Sequence, residues 1–488
     1  MTTKNIGLYA GPVLFFLTLF FFHPPGLSDE SNAVLASTIW IALWWITEAL
    51  PIAVTALLPI VLFPLTGGMD LALATSSYGH KFVFLIMGGF IIAIAIEKWN
   101  LHKRIALNII YFIGTDVKRI ILGFMVATAF LSMWISNTAT TVMMLPIGIV
   151  IIKQLKDNPL TADSENLIFG KALMLSIAYS ASIGGIATLI GTPPNMVMAG
   201  VISQAYDYEI SFLEWFVFGF PLMVLLLFIC WWYLTRWAFS FKQTSFLGGR
   251  TEIAKLRNEL GAITYEQKAV AIVFALAGIS WISRSFIIQK IFPAIDDTII
   301  AILFSLVLFV LNTKNKNEKI MNWKEAVKMP WGILLLYGGG MSLAKAFETS
   351  GLAVWIGAQI SAFGVFHLLI LLILLIAAIN FLTEVTSNLA TTAMLLPILA
   401  PIALEFDLHP FILMAAAAVA ASCAFMLPVA TPPNAIVFGS GYLRVPDMVK
   451  KGFFLNLISI IIIALAVYFL LPVIWDIVPD KFPKEILD

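Results

Sequence analysis

Four short polar phrases interrupt the most apolar parts of this chain, and their residue types limit the chemistry they can do. Residues 136–147 read SNTATTVMMLPI and residues 386–398 read TSNLATTAMLLPI, while GTPPN occupies 191–195 and ATPPN occupies 430–434. None of the four contains Arg, Lys, Asp or Glu, so what they offer is neutral dipoles. Pro193 and Pro194, like Pro432 and Pro433, lack N–H donors. Proline also biases its predecessor away from helix, so a span holding TPPN must break there. The break frees carbonyls on its N-terminal side, which suit a hard cation such as Na⁺. It frees N–H groups at the start of the next half-helix, which suit an anion. Thr192 and Thr431 are placed to cap that half-helix, with proline at its first position.

Ser136, Asn137 and Thr138, and likewise Ser387 and Asn388, precede apolar helical sequence. Ser and Asn favour caps and tight turns. At a hairpin tip they would present amide, hydroxyl and backbone N–H groups in one cluster. A structural role, gluing helices or back-bonding to carbonyls, fits Thr140, Thr141, Thr391 and Thr392. It fits the Ser-Asn pairs less well, because an unpaired amide in hydrocarbon is costly. With no cationic side chain in the motifs, a divalent anion would be held by dipoles, and bound cations would supply the missing positive charge.

The phrases come in matched pairs. Asn388 lies 251 residues after Asn137, and the same offset relates Gly339-Gly340 in LLLYGGGMSLAKAFETSGL to Gly88-Gly89 in FLIMGGFIIAIAIEKWNL. Asn434 follows Asn195 by 239, so the second copy is about 12 residues shorter between its motifs. Two homologous segments, each with an SN phrase and a TPPN phrase, place a binding site between them by the logic of repeat-built transporters.

Composition fixes the surroundings of these elements. Of 488 residues 60% are hydrophobic and 12% charged, against roughly 25% charged in soluble domains. Mean hydropathy is +0.96. The expectation is an all-α polytopic membrane protein with about 11 transmembrane helices, embedded in a lipid bilayer. The long apolar runs with polar centres read as two re-entrant hairpins, 118–155 and 367–404, and the TPPN segments as broken helices, 168–206 and 410–441. The division expected is a first repeat at 1–235, a cytoplasmic amphipathic linker at 236–268, a second, inverted repeat at 269–475, and a tail at 476–488. The basic loops 236–268 and 312–328 face the cytoplasm by the positive-inside rule.

Net charge is +1 and no Lys/Arg patch is interleaved with aromatics, so nucleic-acid binding has no support. Cys230 and Cys423 sit in apolar runs and read as buried thiols; no CxxC, HExxH or Cys/His cluster supports a transition-metal site. No nucleophile–base pair can be assembled, so catalytic residues are none and an enzyme reading has no support. A channel would tolerate the same broken helices, although doubled motifs favour alternating access.

The paired SNTATT/SNLATT and GTPPN/ATPPN phrases resemble the divalent anion:sodium symporter (DASS) family over nearly the whole chain. The resemblance implies a secondary transporter, a homodimer in the plasma membrane, in which a transport domain moves as an elevator against a scaffold. It implies sodium-coupled symport of small dicarboxylates, with sodium-independent dicarboxylate exchange or carriage of sulfate or citrate as alternatives. Substrate contacts would be Ser136, Asn137, Thr138, Ser387, Asn388, Thr431 and Pro432. One sodium site would use Ser132, Ser136, Asn137 and Gly191; its partner would use Thr383, Thr386, Asn388 and Ala430. The family's bacterial dicarboxylate carriers typically repeat Ser-Asn-Thr at the second tip. Leu389 stands there instead, which implies one hydroxyl fewer and a less symmetric pocket.

Glu48 and Glu384 lie in apolar context and are candidates for function. Glu384, three residues before Ser387, is expected mainly as a structural hydrogen-bonding group; its counterpart is Met133. Glu97 and Glu348, beside Lys98 and Lys345, are expected in ion pairs near the interface. His23, His80, His102, His367 and His409 are scattered and read as edge residues. Residues 250–260, RTEIAKLRNEL, have the spacing of an amphipathic surface helix.

Overall fold

The structure, a computed structural model, describes residues 3–114, 116–156, 163–241, 249–360 and 367–483. Among them the chain is helical, with one isolated β-bridge between Asn312 and Lys319. The first half runs α1 (Thr3–Phe21), α2 (Asp29–Thr47), α3 (Ile52–Thr55), α4 (Leu58–Thr66), α5 (Leu71–Ser76), α6 (Lys81–Lys98), α7 (Leu101–Ile113), α8 (Val117–Ser132), α9 (Asn137–Lys156), α10 (Asp163–Gly185), α11 (Pro193–Tyr206) and α12 (Phe212–Tyr233). After α13 (Gly249–Glu259) come α14 (Tyr265–Ser283), α15 (Gln289–Ile291), α16 (Asp297–Val310), α17 (Trp323–Ala326), α18 (Trp331–Thr349), α19 (Leu352–Ile360), α20 (Leu368–Leu382), α21 (Asn388–Glu405), α22 (Pro410–Ala421), α23 (Pro432–Phe438), α24 (Val445–Leu465) and α25 (Leu471–Trp475). Seven helices among the described residues are long and apolar enough to cross a bilayer. Their outward faces stay apolar: Phe453, Phe454, Leu457 and Ile461 are exposed on α24, as a lipid-facing helix requires.

The interior is built from the broken helices. Every residue of α22 is buried. Its run of alanines lets neighbouring backbones approach closely. The hairpin α8–α9 packs on α10 and on α23, and the hairpin α20–α21 packs on α22 and on α11. Each hairpin therefore touches the near half of one broken helix and the far half of the other. The paired glycines are close-approach points. A Cβ on Gly88 would meet the Ala301 backbone at 2.7 Å, and one on Gly339 would meet Ala56 O at 2.5 Å.

Several edge residues resolve into local roles. His80, His367 and His409 are the N-caps of α6, α20 and α22, each accepting a backbone N–H at Nδ1. Glu48 is not enclosed by the protein: it closes α2 in a left-handed conformation, half exposed, 3.6 Å from Lys4. Lys345 pairs with Glu348 at 3.0 Å, but Lys98 donates to Ile320 O instead of pairing with Glu97. Helix α13 buries Ile253 and lies against α7 and α9, and Arg104 fixes its end by donating to Leu260 O and Gly261 O at 3.0 Å each. The two basic loops meet where Lys314 N donates to Glu266 at 2.9 Å, which puts them on one face. Of the linker, residues 242–248 lie outside the described residues, as do 484–488 of the tail. The rest of the tail is tied down: Pro479 O accepts from His409 N, and Asp407 accepts from Phe482 N, both at 3.0 Å.

Candidate functional site

Each SN phrase falls in the turn of a helical hairpin. Helix α8 ends at Ser132 and α9 starts at Asn137, and α20 ends at Leu382 and α21 starts at Asn388. In the first turn Ser132 Oγ lies 2.6 Å from Asn137 Oδ1 and 2.7 Å from Ala181 O. In the second, Thr383 Oγ1 lies 2.6 Å from Asn388 Oδ1 and 3.2 Å from Ala421 O. Ser132 and Thr383 are 251 residues apart, so one polar unit occurs twice. Thr141 and Thr392 back-bond to Asn137 O and Asn388 O at 2.7 and 2.8 Å, the back-bonding expected of them.

The TPPN segments begin new helices at Pro193 and Pro432, behind Thr192 and Thr431 in extended N-cap conformations. Thr431 Oγ1 caps Asn434 N at 3.2 Å. Thr192 makes no side-chain cap, against expectation; there the first turn is closed by Asn195 N donating to Thr192 O. Ser136 Oγ accepts from Ala139 N at 3.2 Å, whereas Ser387 has no such bond. The fourth letter of the motif carries more than its spacing implied. Asn195 Nδ2 donates to Gly185 O and Thr188 O at 3.2 and 2.8 Å, and Asn434 Nδ2 donates to Ala424 O and Leu427 O at 3.2 and 3.0 Å. The offset of 239 relates all three pairs, so the same asparagine ties the same frayed carbonyls in both copies. A buried amide one turn after a Thr-Pro-Pro break was the available signal.

Three of the four residues expected around the first cation, Ser132, Asn137 and Gly191, lie close together. A Cβ on Gly185 would lie 2.8 Å from Asn137 Oδ1 and 3.1 Å from Gly191 O, which brings hairpin tip and break together with no room for a methyl group. Hydroxyl, amide and carbonyl oxygens in a small space fit Na⁺, a hard cation. At the second copy Thr386 Oγ1 is engaged with Leu382 O at 2.9 Å and Thr391 Oγ1 at 2.6 Å. Ala430 and Thr431 are buried and Pro432 is exposed. The tips differ at one letter in environment as well as identity: Thr138 is exposed, while Leu389 is 8% exposed and packs in the apolar core.

Glu384 organises the second break. Its carboxylate accepts from Phe425 N at 2.7 Å, Met426 N at 2.9 Å, Leu427 N at 2.9 Å and Asn456 Nδ2 at 2.7 Å. Hairpin, break and α24 are thereby joined by one buried group, which satisfies its charge with four donors. In the first copy Thr188 Oγ1 donates to Met133 O at 2.5 Å, and Trp215 Nε1 of α12 donates to Ile186 O at 2.9 Å.

Two helical hairpins packed against two helices broken at matched uncharged motifs, with oxygen clusters at the breaks and lipid-facing apolar flanks, are the parts of a membrane transport protein. Residues 2–475 match the model described as the sodium:sulfate symporter transmembrane region, and the chain belongs to that family. It is an integral, polytopic membrane protein. It is 49% identical over 478 residues, 97% of this chain and 92% of the relative, to the sodium-dependent dicarboxylate transporter SdcS of Staphylococcus aureus strain USA300. To SdcS of strain MRSA252 it is 48% identical over 482 residues, 98% of this chain and 93% of that one. Two solved structures share the fold. The Neisseria gonorrhoeae antimetabolite efflux pump MtrF has TM-score 0.55 and 14% identity, covering 96% of each chain. The Alcanivorax borkumensis YdaH transporter has TM-score 0.55 and 12% identity, covering 96% and 97%.

Proposed function

We propose that this protein carries small C4-type dicarboxylates across the plasma membrane in symport with Na⁺. The observation that carries the reading is the duplicated junction of hairpin tip and broken helix, with oxygens and no charged side chain in the motifs, in a chain 49% identical to a sodium-dependent dicarboxylate transporter. Na⁺ bound by Ser132, Ser136, Asn137 and Gly191, and by Thr383, Thr386, Asn388 and Ala430, supplies the positive charge that a dianion needs. The substrate carboxylates lie between the tips, against Ser136, Asn137 and Thr138 on one side and Ser387, Asn388, Thr431 and Pro432 on the other.

In this reading the two segments are inverted repeats, 1–235 and 269–475. The hairpins, broken helices, α12 and α24 form a transport domain that moves as an elevator past a scaffold of α1–α6 and α14–α18. The protein works as a homodimer. Access alternates, and a cavity of about 750 Å³ beside the first hairpin, lined by Ile135, Ala139, Thr140 and Met143 and bordered by Leu256 of α13, supports a state open on the side of the basic loops.

The test is uptake of labelled succinate into proteoliposomes with and without an inward Na⁺ gradient. Concentrative, Na⁺-dependent uptake is the expected result. Uptake that needs internal dicarboxylate and ignores Na⁺ replaces symport by exchange. Sulfate or citrate outcompeting succinate changes the substrate.

A further inference from the structure

A cluster of four charged side chains lies at the opposite end of the molecule from the basic loops, and nothing in the transport site uses it. Helix α14 leaves α13 at Tyr265, so Arg284, beyond its far end, is on the other face. Lys81 starts α6, whose other end reaches Ile320 in the second basic loop. Asp297 opens α16, and Glu209 lies in the turn between α11 and α12.

The contacts run across one seam. Glu209 accepts from Lys81 Nζ and, at 3.0 Å, from Arg284. Arg284 Nε stands 3.2 Å from Asp297 Oδ1, an ion pair without the alignment of a hydrogen bond. Asp297 Oδ2 accepts from Phe212 N, the first residue of α12, at 2.7 Å. The side chains of Arg284 and Asp297 are 6% and 3% exposed. Burial works against the charge on Glu209, but hydrogen bonds and charge from Lys81 and Arg284 outweigh it and hold its carboxyl below the usual carboxylate range.

The cluster is continuous with the first hairpin tip. Phe212, Trp281 of α14 and Trp134 form a cluster of three near-parallel rings, with centroids 5.2 Å apart for Phe212–Trp281, 5.8 Å for Phe212–Trp134 and 6.4 Å for Trp134–Trp281. Trp134 sits in the hairpin turn, between Ser132 and Ser136. Trp281 Nε1 donates to Asp297 O at 3.1 Å, so the ring stack and the ion pairs share an anchor.

We infer that this cluster is an extracytoplasmic latch: Lys81, Arg284 and Asp297 hold the Glu209 turn and the start of α12, and the ring stack couples that grip to the first cation-binding tip. The latch rests on the alternating-access reading of transport. On one side of the seam stand α6, α14 and α16; on the other stand α12 and the hairpin. Relative movement between them separates Glu209 from two cations and Phe212 N from Asp297. Closed, the cluster is two cations against two carboxylates; with Glu209 withdrawn, the fixed side keeps a net positive charge. The latch therefore stabilises the state whose cavity opens at the opposite face, and cation binding at the tip bears on it through Trp134.

The test uses the full chain in intact cells. Cys230 and Cys423 are buried, so a cysteine placed at Ile210, 1% exposed beside Glu209, reports the seam to a membrane-impermeant maleimide. Glu209→Gln is expected to label about tenfold faster than the parent, the population shift that one charge-assisted hydrogen bond sustains. Lys81→Gln, whose side chain is 39% exposed and pairs with Glu209, should show a smaller increase without a folding defect. Joining Lys81→Cys to Glu209→Cys with a reducible cross-linker should stop uptake, and reductant should restore it. Full uptake by the cross-linked protein, or parental labelling in both neutral variants, overturns the latch. If labelling of the Ile210→Cys parent ignores Na⁺ and succinate altogether, the alternating-access reading fails instead. If it responds to them but not to Glu209→Gln, the latch alone fails.

Discussion

Glu384→Gln removes a single negative charge while keeping size and shape, and the surrounding hydrogen bonds set its cost. Oε1 accepts three of the four donors, Phe425 N, Met426 N and Asn456 Nδ2, and Oε2 accepts from Leu427 N at 2.9 Å. Glutamine can leave its one oxygen with the group of three. Its NH₂ then faces the Leu427 N–H, donor against donor, and the remaining bonds lose their charge assistance. The combined cost is about 2–4 kcal/mol, from one lost charge-assisted bond and one buried donor left unmet. Against net stabilities of about 5–15 kcal/mol this is a large loss that still permits folding. The strain falls on residues 425–427, a few positions before Ala430 and Thr431. The expected result is therefore a lower melting temperature in detergent together with a higher Na⁺ concentration for half-maximal succinate uptake. Melting curves measured with and without Na⁺, and Na⁺ titrations of uptake in proteoliposomes, read both quantities. Parental Na⁺ dependence at a parental melting temperature would refute the view that Glu384 holds the second break in place.

Asn137→Ala and Asn388→Ala should each abolish Na⁺-driven uptake, because each removes the amide oxygen 2.6 Å from Ser132 or Thr383; near-normal uptake in either sinks the site assignment. Leu389→Thr restores the hydroxyl that the second tip lacks, but Leu389 is only 8% exposed, so the variant should lose about 1–3 kcal/mol of stability, with Na⁺ dependence retained. A changed order of preference among dicarboxylates at unchanged melting temperature would show instead that position 389 faces the substrate.

The elements that position the site were legible because their signals are local. Two prolines after a threonine dictate a break wherever they occur in a span, and Pro193 and Pro432 begin helices as that rule requires. Ser-Asn before an apolar run marks a turn, and Asn137 and Asn388 each start a helix after one. The constant offset then paired the copies without any structure. What was not legible depends on partners far along the chain. Thr192 and Thr431 are identical residues in the same motif, yet only Thr431 caps with its side chain. Glu97 and Lys98 are neighbours in sequence but do not pair, because Lys98 finds Ile320 O across 222 residues. The Glu209, Arg284 and Asp297 cluster carries no motif at all; three separate helix ends bring it together.

Placing the two breaks side by side separates what is constrained from how the constraint is met. Positions 133 and 188 are linked in the first copy, and their counterparts 384 and 427 are linked in the second. Position 186 is held from α12 by Trp215, and its counterpart 425 is held from α24 by Asn456. The chemistry has changed completely: a hydroxyl and an indole donate to carbonyls in one copy, and a carboxylate and an amide oxygen accept from N–H groups in the other. A merely incidental hydrogen bond has no reason to recur at the same positions with donor and acceptor exchanged, whereas a need to fix the break against the hairpin tip does. The two brackets then differ in strength in a calculable way. Thr188→Val deletes one neutral hydrogen bond, about 0.5–1.5 kcal/mol, with Met133 O left unpaired by that hydroxyl. It should therefore raise the Na⁺ requirement of uptake by no more than about tenfold and less than Glu384→Gln does. Titration of both variants in one proteoliposome preparation compares them directly. If Thr188→Val proves as damaging as Glu384→Gln, the carboxylate contributes nothing beyond its geometry, and the difference in charge between the two breaks is without consequence for transport.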